Sequence, residues 1–409
     1  MHSILKIHIK MKKILLSLVL ISTATSVFAD LNGNGYYRVR NVGTTRWASL
    51  VDDWSSNIDY VAGTADLHAL SLTKDTEAIL SNPASIVYVD HLSGYRYNVG
   101  AQGVTLESLI NNAVNIGEYK VKDGQKTYLI WGTKSGATKY ISDGQLLPID
   151  KGTATLNENT AEPELRQWFF LPVEADGDNY FAAVPSVEAN GGLYTTLYTS
   201  FSYAPYSEGL KFYAIGRTGE GMAEMIEIGD AVSAGTPVIV KCAGTQPVNN
   251  KLEIVNEGSV VSQNALTGVY FNYTSNDRSN HVAYNPATMR ILGTCADGSL
   301  GFVTSNIQYI PANTVYLNVA PGSPSELKCV TSEEFDDNMN SGVESIIDSS
   351  STLTFYNNTV YGSDASVITI VNLAGQTVMT TDNGIADVSA LAKGVYVATQ
   401  GTKSIKFIR

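Results

Sequence analysis

Cysteine is scarce in this chain, and its scarcity excludes one class of secreted fold. Only three cysteines occur, Cys242, Cys295 and Cys329, and long stretches of sequence separate them. Small secreted domains that depend on disulfides carry an even and much denser set of cysteines. The chain therefore cannot rely on a disulfide framework. At least one thiol stays unpaired, and we expect the cysteines to act as buried apolar fillers.

Histidine is also rare and has no spacing typical of a metal or catalytic site. Beyond residue 29 the histidines are His68, His91 and His281, and neither His-x-x-x-His nor Cys-x-x-Cys occurs. A zinc site, or a nucleophile with a histidine base, would have to be assembled from distant residues. No glycine-rich phosphate loop is present either. The sequence predicts no catalytic residue, no cofactor and no metal ion, and therefore a protein that is not an enzyme.

Basic residues are outnumbered by acidic ones, which bears on the choice of partner. The chain has 27 Lys and Arg against 39 Asp and Glu, giving a formal charge of -12 at pH 7. Several of the lysines lie in an N-terminal segment that we expect to be removed, so the mature chain is more acidic still. A negative field repels phosphate backbones. Nucleic acid is therefore not a predicted partner.

Long apolar runs are missing, apart from one short run near the N-terminus. A pair of lysines precedes an apolar run at residues 14–21 and a small-residue end at 27–29, the three parts of a secretory signal peptide. We expect cleavage between Ala29 and Asp30, with residues 1–10 as an upstream extension of the leader. No other segment reaches about 18 apolar residues, so no transmembrane segment is predicted.

Glycine and tyrosine are abundant, and together with the spacing of apolar residues they indicate β-structure. The chain has 35 glycines and 23 tyrosines, and short alternating runs are separated by Gly, Asn and Asp turns. We predict an all-β, multi-domain protein, with two short inserted helices at residues 66–80 and 105–115. The predicted units are the signal peptide 1–29, a first β domain 30–206, a second 207–330, a linker 331–351 and a C-terminal domain 352–409.

The first domain contains three loose copies of a strand, a turn and a strand. Near its end, Arg166-Gln167-Trp168 is followed by an apolar strand, a polar turn and a further strand. This element resembles the Gln-x-Trp repeat of ricin-type β-trefoil domains, and it is the only one of its kind in the chain. The resemblance implies a β-trefoil-like domain over residues 30–206. An irregular barrel or sandwich is the alternative.

The second domain contains a duplicated turn. Ala234-Gly235-Thr236 and Ala312-Asn313-Thr314 each precede a strand, and Gly and Asn are the residues that best tolerate a positive φ. Both copies therefore predict the same tight turn and an equivalent strand in a β-sandwich-like domain. The domain resembles modules of large extracellular proteins from Gram-negative gut and oral bacteria.

The C-terminal segment has four motif elements in a fixed order. They are an Asn-Leu-x-Gly-Gln turn, an Asp-x-Ser-x-Leu segment, a Lys-Gly-Val-Tyr strand and a basic final strand. The motif residues are Asn372, Leu373, Gly375, Gln376, Asp387, Leu391, Gly394 and Tyr396. The segment resembles the C-terminal sorting domain of the type IX secretion system. A generic small β domain is the alternative.

The sorting-domain resemblance implies a route, a partner and a location. The type IX secretion machinery would be the partner, and the protein would be secreted or held at the outer-membrane surface after passing through the periplasm. We expect Gly375 and Gly394 to be turn residues and Leu373, Leu391 and Tyr396 to fill a small sandwich core.

One polar and aromatic cluster suits sugar binding. Asp52 and Asp53 precede Trp54, and an aromatic face covers the apolar face of a sugar while a carboxylate accepts its hydroxyl hydrogen bonds. A polar turn with a packed tryptophan is the alternative. Adjacent residues of a strand point to opposite faces, so the two aspartates do not form an acid and base pair. A tyrosine-rich run has the same two interpretations, with a core or domain interface favoured: Tyr194, Tyr198, Phe201, Tyr203 and Tyr206.

These observations favour a non-catalytic binding protein that is secreted or attached to the cell surface. Its predicted ligand is a glycan or a host or matrix polymer. Two alternatives stay open: a secreted glycoside hydrolase that uses scattered carboxylates, and a structural component of the cell surface.

Overall fold

The computed structural model describes most of the chain, and the described part is built mainly from strands. Its residues are 31, 34–51, 66–105, 114–134, 137–143, 151–157, 163–259, 261–274, 279–341, 353–356 and 358–409. Several separate sheets contain the strands, which confirms the all-β, multi-domain prediction. The described helices are α1, Thr76–Leu80, and α2, Ser332–Ser341. Within the described ranges no helix is long and apolar enough to cross a membrane.

The described residues of the N-terminal region form one sheet of eleven strands. The strands are β1 Gly35–Asn41, β2 Trp47–Leu50, β3 Asp66–Thr73, β4 Ile86–Ser93, β5 Arg96–Ala101, β6 Val104–Thr105, β7 Val114–Lys122, β8 Gln125–Lys134, β9 Ala137–Asp143, β10 Lys151–Asn157 and β11 Gln167–Pro172.

Six of these strands close into an antiparallel ring, which we call the barrel. Each strand pairs with the next in the order β1, β4, β5, β7, β8, β11 and back to β1. The hairpins β2–β3 and β9–β10 extend from the ring and pair with each other through β3 and β10. Closing the ring removes the exposed strand edges that would otherwise pair with other chains.

The alternation of side chains along the strands fills the barrel. Tyr128 and Ile130 of β8 belong to the barrel core, whereas Trp131 points to the outer face. Trp168 is almost fully buried, and its indole Nε1 donates a hydrogen bond to the carbonyl of Ile141 at 2.9 Å. The side chain of Gln167 is also buried, so the Gln-x-Trp element contributes to the core and not to an exposed site.

The N-terminal sheet contains a buried ion pair between Arg46 and Asp143. Arg46 Nη1 lies 3.1 Å from Asp143 Oδ1, and both side chains are fully buried. The Thr44 hydroxyl also donates a hydrogen bond to Asp143 Oδ2 at 2.5 Å. Breaking one partner of such a pair leaves an uncompensated buried charge, which is strongly destabilising.

Fifteen strands follow in the middle region, residues 181–330. They are β12 Phe181–Ala182, β13 Val187–Ala189, β14 Gly192–Leu197, β15 Ser202–Pro205, β16 Lys211–Gly219, β17 Met222–Ile228, β18 Val238–Cys242, β19 Lys251–Val255, β20 Leu266–Val269, β21 Tyr273–Thr274, β22 Ser279–Asn280, β23 Met289–Thr294, β24 Leu300–Val303, β25 Thr314–Asn318 and β26 Glu326–Val330.

The central sheet of the middle region is buried on both faces. Its ten strands run in the order β13, β14, β18, β16, β17, β26, β24, β23, β25, β20. Val238 and Val240 of β18 pack into one core with the small sheet β12–β19–β15, and Ile239 between them packs into a second core. Strand β26 joins the two halves of the sheet, because it pairs parallel to β17 and antiparallel to β24.

The barrel and the middle region pack against each other. Ile86 of β4 belongs to a core that is otherwise formed by the middle region, and the rings of Tyr36 and Phe201 lie 5.7 Å apart. The buried guanidinium of Arg38 on β1 donates to Asn179 Oδ1 at 2.8 Å and to the Tyr180 carbonyl at 2.9 Å. Burial lowers the pKa of Arg38 to about 9. We refer to residues 31–341 as the body.

The C-terminal unit, residues 353–409, has a core of its own. Its strands are β27 Thr354–Tyr356, β28 Thr359–Tyr361, β29 Ile368–Asn372, β30 Thr377–Thr381, β31 Ile385–Asp387, β32 Val395–Gln400 and β33 Lys403–Ile408. They form two sheets, β27–β28–β31 and β30–β29–β32–β33. Val360, Ile370, Ala398 and Phe407 are among the buried residues between them.

One local prediction differs from the structure, and a second lies mostly outside the described residues. Asp66–Thr73 is strand β3 and not a helix, because pairing with β2 and β10 outweighs its helical spacing, and only Thr76–Leu80 is helical. At the second predicted helix, residues 106–113 lie outside the described ranges, and Val114 already begins a strand.

The start of the predicted linker is a helix packed on the body. Phe335 of α2 is 2% exposed and contacts Met222 and Val330. The Arg217 guanidinium lies 4.7 Å from the Phe335 ring and pairs with Asp336 at 2.8 Å. An apolar anchor and an ion pair therefore hold a segment that its polar composition predicts to be a linker.

Candidate functional site

The glycan-binding residues predicted from the sequence, Asp52, Asp53 and Trp54, lie outside the described residues. The same is true of the predicted cleavage site at Ala29 and Asp30, within the proposed leader 1–29. These predictions therefore stay predictions. A surface for ligand binding has to be sought among the residues that the structure describes.

The tyrosine-rich run divides into core and surface. Phe201 and Tyr203 are fully buried and belong to the core of the middle region, as the core interpretation requires. Burial raises the pKa of Tyr203 far above its ordinary value. Tyr194 and Tyr198 are partly buried, and Tyr206 is exposed and lines a cleft.

A row of aromatic side chains lies on the outer face of the barrel, and we call it the aromatic row. The ring of Tyr95 lies 5.4 Å from that of Trp131 at an angle of 56°, and Trp131 lies 6.4 Å from Tyr140 at 40°. Tyr95 is 63% exposed, and Trp131 and Tyr140 are partly exposed. The guanidinium of Arg166 lies 5.3 Å from the centroid of the Tyr140 ring and ends the row.

The strand register explains why these rings meet. Trp131 and Tyr140 are directly opposite each other on β8 and β9, so both point out of the barrel on the same face. Tyr95 lies in the turn between β4 and β5, and its carbonyl accepts a hydrogen bond from Ile116 at 2.8 Å. A side chain at Gly117 would meet the Trp131 ring at 2.8 Å, so glycine at this position leaves room for the indole.

The aromatic row combines flat apolar faces with polar edges. Tyrosine and tryptophan present an apolar body and a hydrogen-bonding end, which suits ligands with one apolar face and a rim of hydroxyl groups. The charged side chains of Glu118 and Lys126, on the neighbouring strands, neutralise each other at 2.9 Å. The row therefore offers stacking and hydrogen bonding, with the positive charge of the Arg166 guanidinium at one end.

One of the three strand–turn–strand copies of the first domain contains two residues of the aromatic row, Trp131 and Tyr140. The hairpin of β8 and β9 was visible as Thr127-Tyr-Leu-Ile-Trp followed by Lys139-Tyr-Ile-Ser-Asp. Alternation places Ile130 inside the barrel and Trp131 outside, so this pair was within reach. Tyr95 and Gly117 are joined to it only by the ring closure, which no local pattern shows.

A cleft, which we call the acidic cleft, lies where the end of the barrel meets the small sheet of the middle region. It has a volume of about 420 Å³ and is lined by Val173, Glu174, Ala175, Asp176, Tyr206, Glu253 and Ile254. Glu174, Asp176 and Glu253 are exposed, and Tyr206 is 49% exposed. Beside it, Lys251 Nζ donates to the Ala175 carbonyl at 3.1 Å and lies 4.2 Å from the Tyr180 ring.

The acidic cleft offers carboxylates beside an aromatic ring. Carboxylates accept hydrogen bonds from hydroxyl groups and, in pairs across a glycosidic bond, serve as acid and base or nucleophile. Across the described residues, no group of three or more His, Cys, Asp or Glu side chains is arranged to hold a metal ion. The three cysteines are free thiols, and burial raises the pKa of Cys242 to about 12.

The C-terminal motif residues form a compact turn. Asn372 Oδ1 accepts hydrogen bonds from the backbone N–H groups of Ala374 and Gln376 at 3.0 Å, and its Nδ2 donates to Gln376 Oε1 at 2.9 Å. Gly375 adopts a φ of +77°, which an L side chain rarely adopts. The Asn-Leu-x-Gly-Gln pattern thus encodes one specific turn between β29 and β30.

The other motif residues belong to the same sandwich, and Tyr396 on β32 pairs directly with Asn372 on β29. Asp387 Oδ1 accepts a hydrogen bond from Ser389 N at 2.9 Å, and this bonding lowers the pKa of Asp387. Gly394 lies in a bend and exchanges backbone hydrogen bonds with Arg409 at 2.9 and 3.0 Å. Tyr396 is buried, and its hydroxyl donates to the Ala392 carbonyl at 2.9 Å.

One predicted core residue of the motif is wrong. Leu373 is 75% exposed at the tip of the Asn372 turn, whereas Leu391 packs against the core as predicted. The turn geometry explains the difference, because a side chain at the tip of a tight turn points away from both sheets. An exposed leucine at such a position does not stabilise the core.

Comparisons with known proteins add little to this geometry. No model of a known protein family matches the sequence, and no curated protein matches it either. A solved structure entitled "Structure and mode of action of a mosquitocidal holotoxin" is similar with a TM-score of 0.23 and 11% identity. The match covers 72% of this chain and 51% of the toxin, so the chain spans about half the toxin's length. A similarity this low transfers neither fold nor activity.

Proposed function

We propose that this protein is a non-catalytic, polysaccharide-binding protein that is exported by the type IX secretion system and acts outside the cell or on its surface. The aromatic row of Tyr95, Trp131 and Tyr140 is the observation that carries the binding part of the proposal. Sugar rings stack on such exposed aromatic faces, and hydroxyl groups bond to the polar edges. The barrel would present this row to a polymer.

The strand order of the barrel supports a β-trefoil-like assignment for residues 30–206. A β-trefoil consists of a six-stranded barrel whose strands are linked by hairpins that cover one end. Here the ring of six strands is accompanied by the hairpins β2–β3 and β9–β10, which pair with each other. This architecture is common to sugar-binding domains of the ricin type, which the Gln167-Trp168 element resembles.

The C-terminal unit supports the export part of the proposal. Its separate core and the turn closed by Asn372 agree with a small sorting domain joined to the end of the body. The apolar leader at residues 14–21 would deliver the chain to the periplasm first. Deleting residues 352–409 would then leave a folded body in the periplasm, detectable by cell fractionation.

Binding can be tested by retention of residues 30–409 on insoluble polysaccharides. Replacing Trp131 with Ala removes the central ring, and we expect an affinity loss of about tenfold. Gly117→Ala should have a similar effect, because the new methyl group displaces the Trp131 ring. Tyr119→Ala is the matched control, since Tyr119 is 49% exposed on β7 but is not part of the row. No retention on any polymer, or equal retention of the Trp131 variant, would reject the proposal.

A glycoside hydrolase is the second candidate function, and the acidic cleft is the observation that favours it. Glu174, Asp176 and Glu253 line one cleft of about 420 Å³, within the usual size range of ligand sites. Release of reducing ends from a polysaccharide panel tests this directly. Activity that is lost in Glu253→Gln or Asp176→Asn would establish an enzyme. No release by the unaltered chain excludes one on those substrates.

A further inference from the structure

A separate cavity lies between the barrel and the middle region, and we call it the junction cavity. Its volume is about 220 Å³. The barrel contributes the segment before β4, including Asn82, and the middle region contributes β14 and the turn before β25. Its polar lining consists of Ser81, Asn82, Thr195, Thr196, Asn313 and Thr314, and none of its lining residues is ionisable.

The duplicated turn of the middle region shows what is special about this cavity. Gly235 and Asn313 occupy equivalent positions, and both adopt a positive φ, +70° and +60°. Both turns contact the same segment, because Gly235 N donates to the Thr199 carbonyl and Tyr198 N donates to the Asn313 carbonyl. Nothing lies within 4 Å of a side chain built at Gly235. The first copy of the turn has glycine and hence no side chain at this position, whereas the second copy has Asn313, which lines the junction cavity.

The Asn313 amide joins the two regions. Its Oδ1 accepts a hydrogen bond from Gln102 Nε2, and its Nδ2 donates to Asn82 Oδ1 at 3.3 Å. Gln102 is 1% exposed and also has a positive φ, +50°. Gln102 and Asn313 are therefore two non-glycine residues with a positive φ that hydrogen-bond to each other. Residues in such strained backbone conformations cluster at functional sites.

The cavity wall keeps hydrogen-bonding capacity for a ligand. Asn82 Oδ1 already accepts from Ala84 N and Asn313, which leaves the Asn82 NH₂ group to donate. Thr196 Oγ1 accepts from Val315 N at 3.4 Å, which leaves its O–H to donate. Thr314 donates to the Pro311 carbonyl at 2.6 Å, which leaves its oxygen lone pairs to accept. The wall therefore offers neutral donors and acceptors side by side.

We propose that the junction cavity binds one neutral, hydroxyl-rich unit, of the size of a single sugar ring. A volume of about 220 Å³ is below the usual range for drug-sized ligands, roughly 300 to 1,000 Å³, and suits one ring. A charged ligand would be desolvated without a partner, because the wall has no ionisable side chain. Binding in the junction cavity does not involve the aromatic row. Each of the two proposed sites can therefore be tested and rejected without the other.

The test uses residues 30–409 and free monosaccharides at millimolar concentration, detected by saturation-transfer NMR and titrated by chemical shift. The probes are galactose, mannose and N-acetylglucosamine, with glucuronate and glucosamine as charged counterparts. We expect a neutral sugar to bind and the charged ones to bind at least about tenfold more weakly. Trp131→Ala should leave this binding unchanged, which separates it from binding at the row.

Two variants locate the site. Asn313→Gly removes the side-chain amide but keeps the turn, because glycine accepts a positive φ. Thr195→Phe places a large side chain in the cavity and fills it. Both should weaken the neutral sugar at least about tenfold, while Gly235→Asn, the same exchange in reverse at the equivalent turn, should not. Circular dichroism and thermal unfolding check that each variant is folded. The proposal is overturned if no neutral sugar binds the unaltered chain, if charged sugars bind equally well, or if Thr195→Phe binds as tightly as the unaltered chain.

Discussion

Polar side chains in the body connect elements about a hundred or more residues apart in sequence, whereas those of the C-terminal unit connect elements within that short unit. The bond from Arg38 to Asn179 spans 141 residues, and the Arg46–Asp143 pair spans 97. In the described part of the C-terminal unit, the longest side-chain bonds, from Ser363 to Gln400, span 37. Stability of the body therefore depends on contacts across the whole body, and that of the C-terminal unit on contacts within residues 353–409.

The largest expected effect comes from breaking the buried pair of the body. Asp143→Ala removes a fully buried carboxylate that pairs with the buried Arg46, so we expect a loss of about 4 kcal/mol in the unfolding free energy of the body. Urea unfolding followed by tryptophan fluorescence measures it, since all the described tryptophans lie in the body. Lys126→Met at the exposed pair with Glu118 is the control and should cost less than about 1 kcal/mol. Equal effects of the two variants would contradict the comparison.

The corresponding change in the C-terminal unit should stay within that unit. Phe407 is 3% exposed, and its ring lies 4.7 Å from Phe355 and 5.7 Å from Tyr396. Phe407→Ala should cost about 3 kcal/mol, a large share of the stability of so small a unit. Hydrogen exchange should then show lost protection in residues 353–409 only. Lost protection in the body as well would mean that the two parts unfold together.

Helix α2 lies at the end of the body, and we expect its attachment to the body to weaken at acid pH. Hydrogen bonds from Arg217 lower the pKa of Glu224 to about 2 from an ordinary value of 4.5. Because the folded-state pKa is lowered, the stabilisation is fully present above pH 4.5 and is lost as the pH falls towards 2.

We expect the acid effect to be about 2 kcal/mol and to appear as easier proteolysis or exchange of Ser332–Ser341 at low pH. The reason is that Arg217 forms ion pairs with both Glu224 on β17 and Asp336 on α2. Glu224→Gln should show the loosened helix already at neutral pH and little further change on acidification. An unchanged pH response in this variant would show that Glu224 is not the group responsible.

The turn of the C-terminal unit should show a smaller effect. Gly375 has a φ of +77°, so Gly375→Ala should cost about 1 kcal/mol through backbone strain. Thermal unfolding of residues 353–409 expressed alone and within the full chain measures the cost. Gly177→Ala is the matched control in the body, since its position shows no positive φ and its nearest neighbour would lie at 3.5 Å.

The smallest expected effect on stability is at Leu373. Because its side chain is 75% exposed, Leu373→Ser should change the unfolding free energy by less than about 0.5 kcal/mol. If the C-terminal unit is a sorting domain, the same variant should nevertheless reduce export, since an exposed apolar residue is available to a partner. Normal export with unchanged stability would leave Leu373 without a function in sorting.

The local motifs were predictable and the long-range contacts were not. Asn372 and Gly375 close a turn within five residues, so their pattern alone indicated the structure. Asp66–Thr73 carries helical spacing but is a strand, because its partners β2 and β10 decide its conformation. The neighbours of Tyr95 and Asn313 come from distant strands, so the aromatic row and the junction cavity could not be deduced from local patterns.

The position of β26 sets an order of events for a chain that is synthesised from its N-terminus. Strand Glu326–Val330 lies between β17 and β24, and Met222 pairs with Lys328 across about two thirds of the length of the middle region. Until Val330 emerges, the two halves of the ten-stranded sheet lack the strand that joins them. Such late, non-local pairing makes folding slow. The ten-stranded sheet therefore closes only when synthesis has passed Val330, shortly before the C-terminal unit appears.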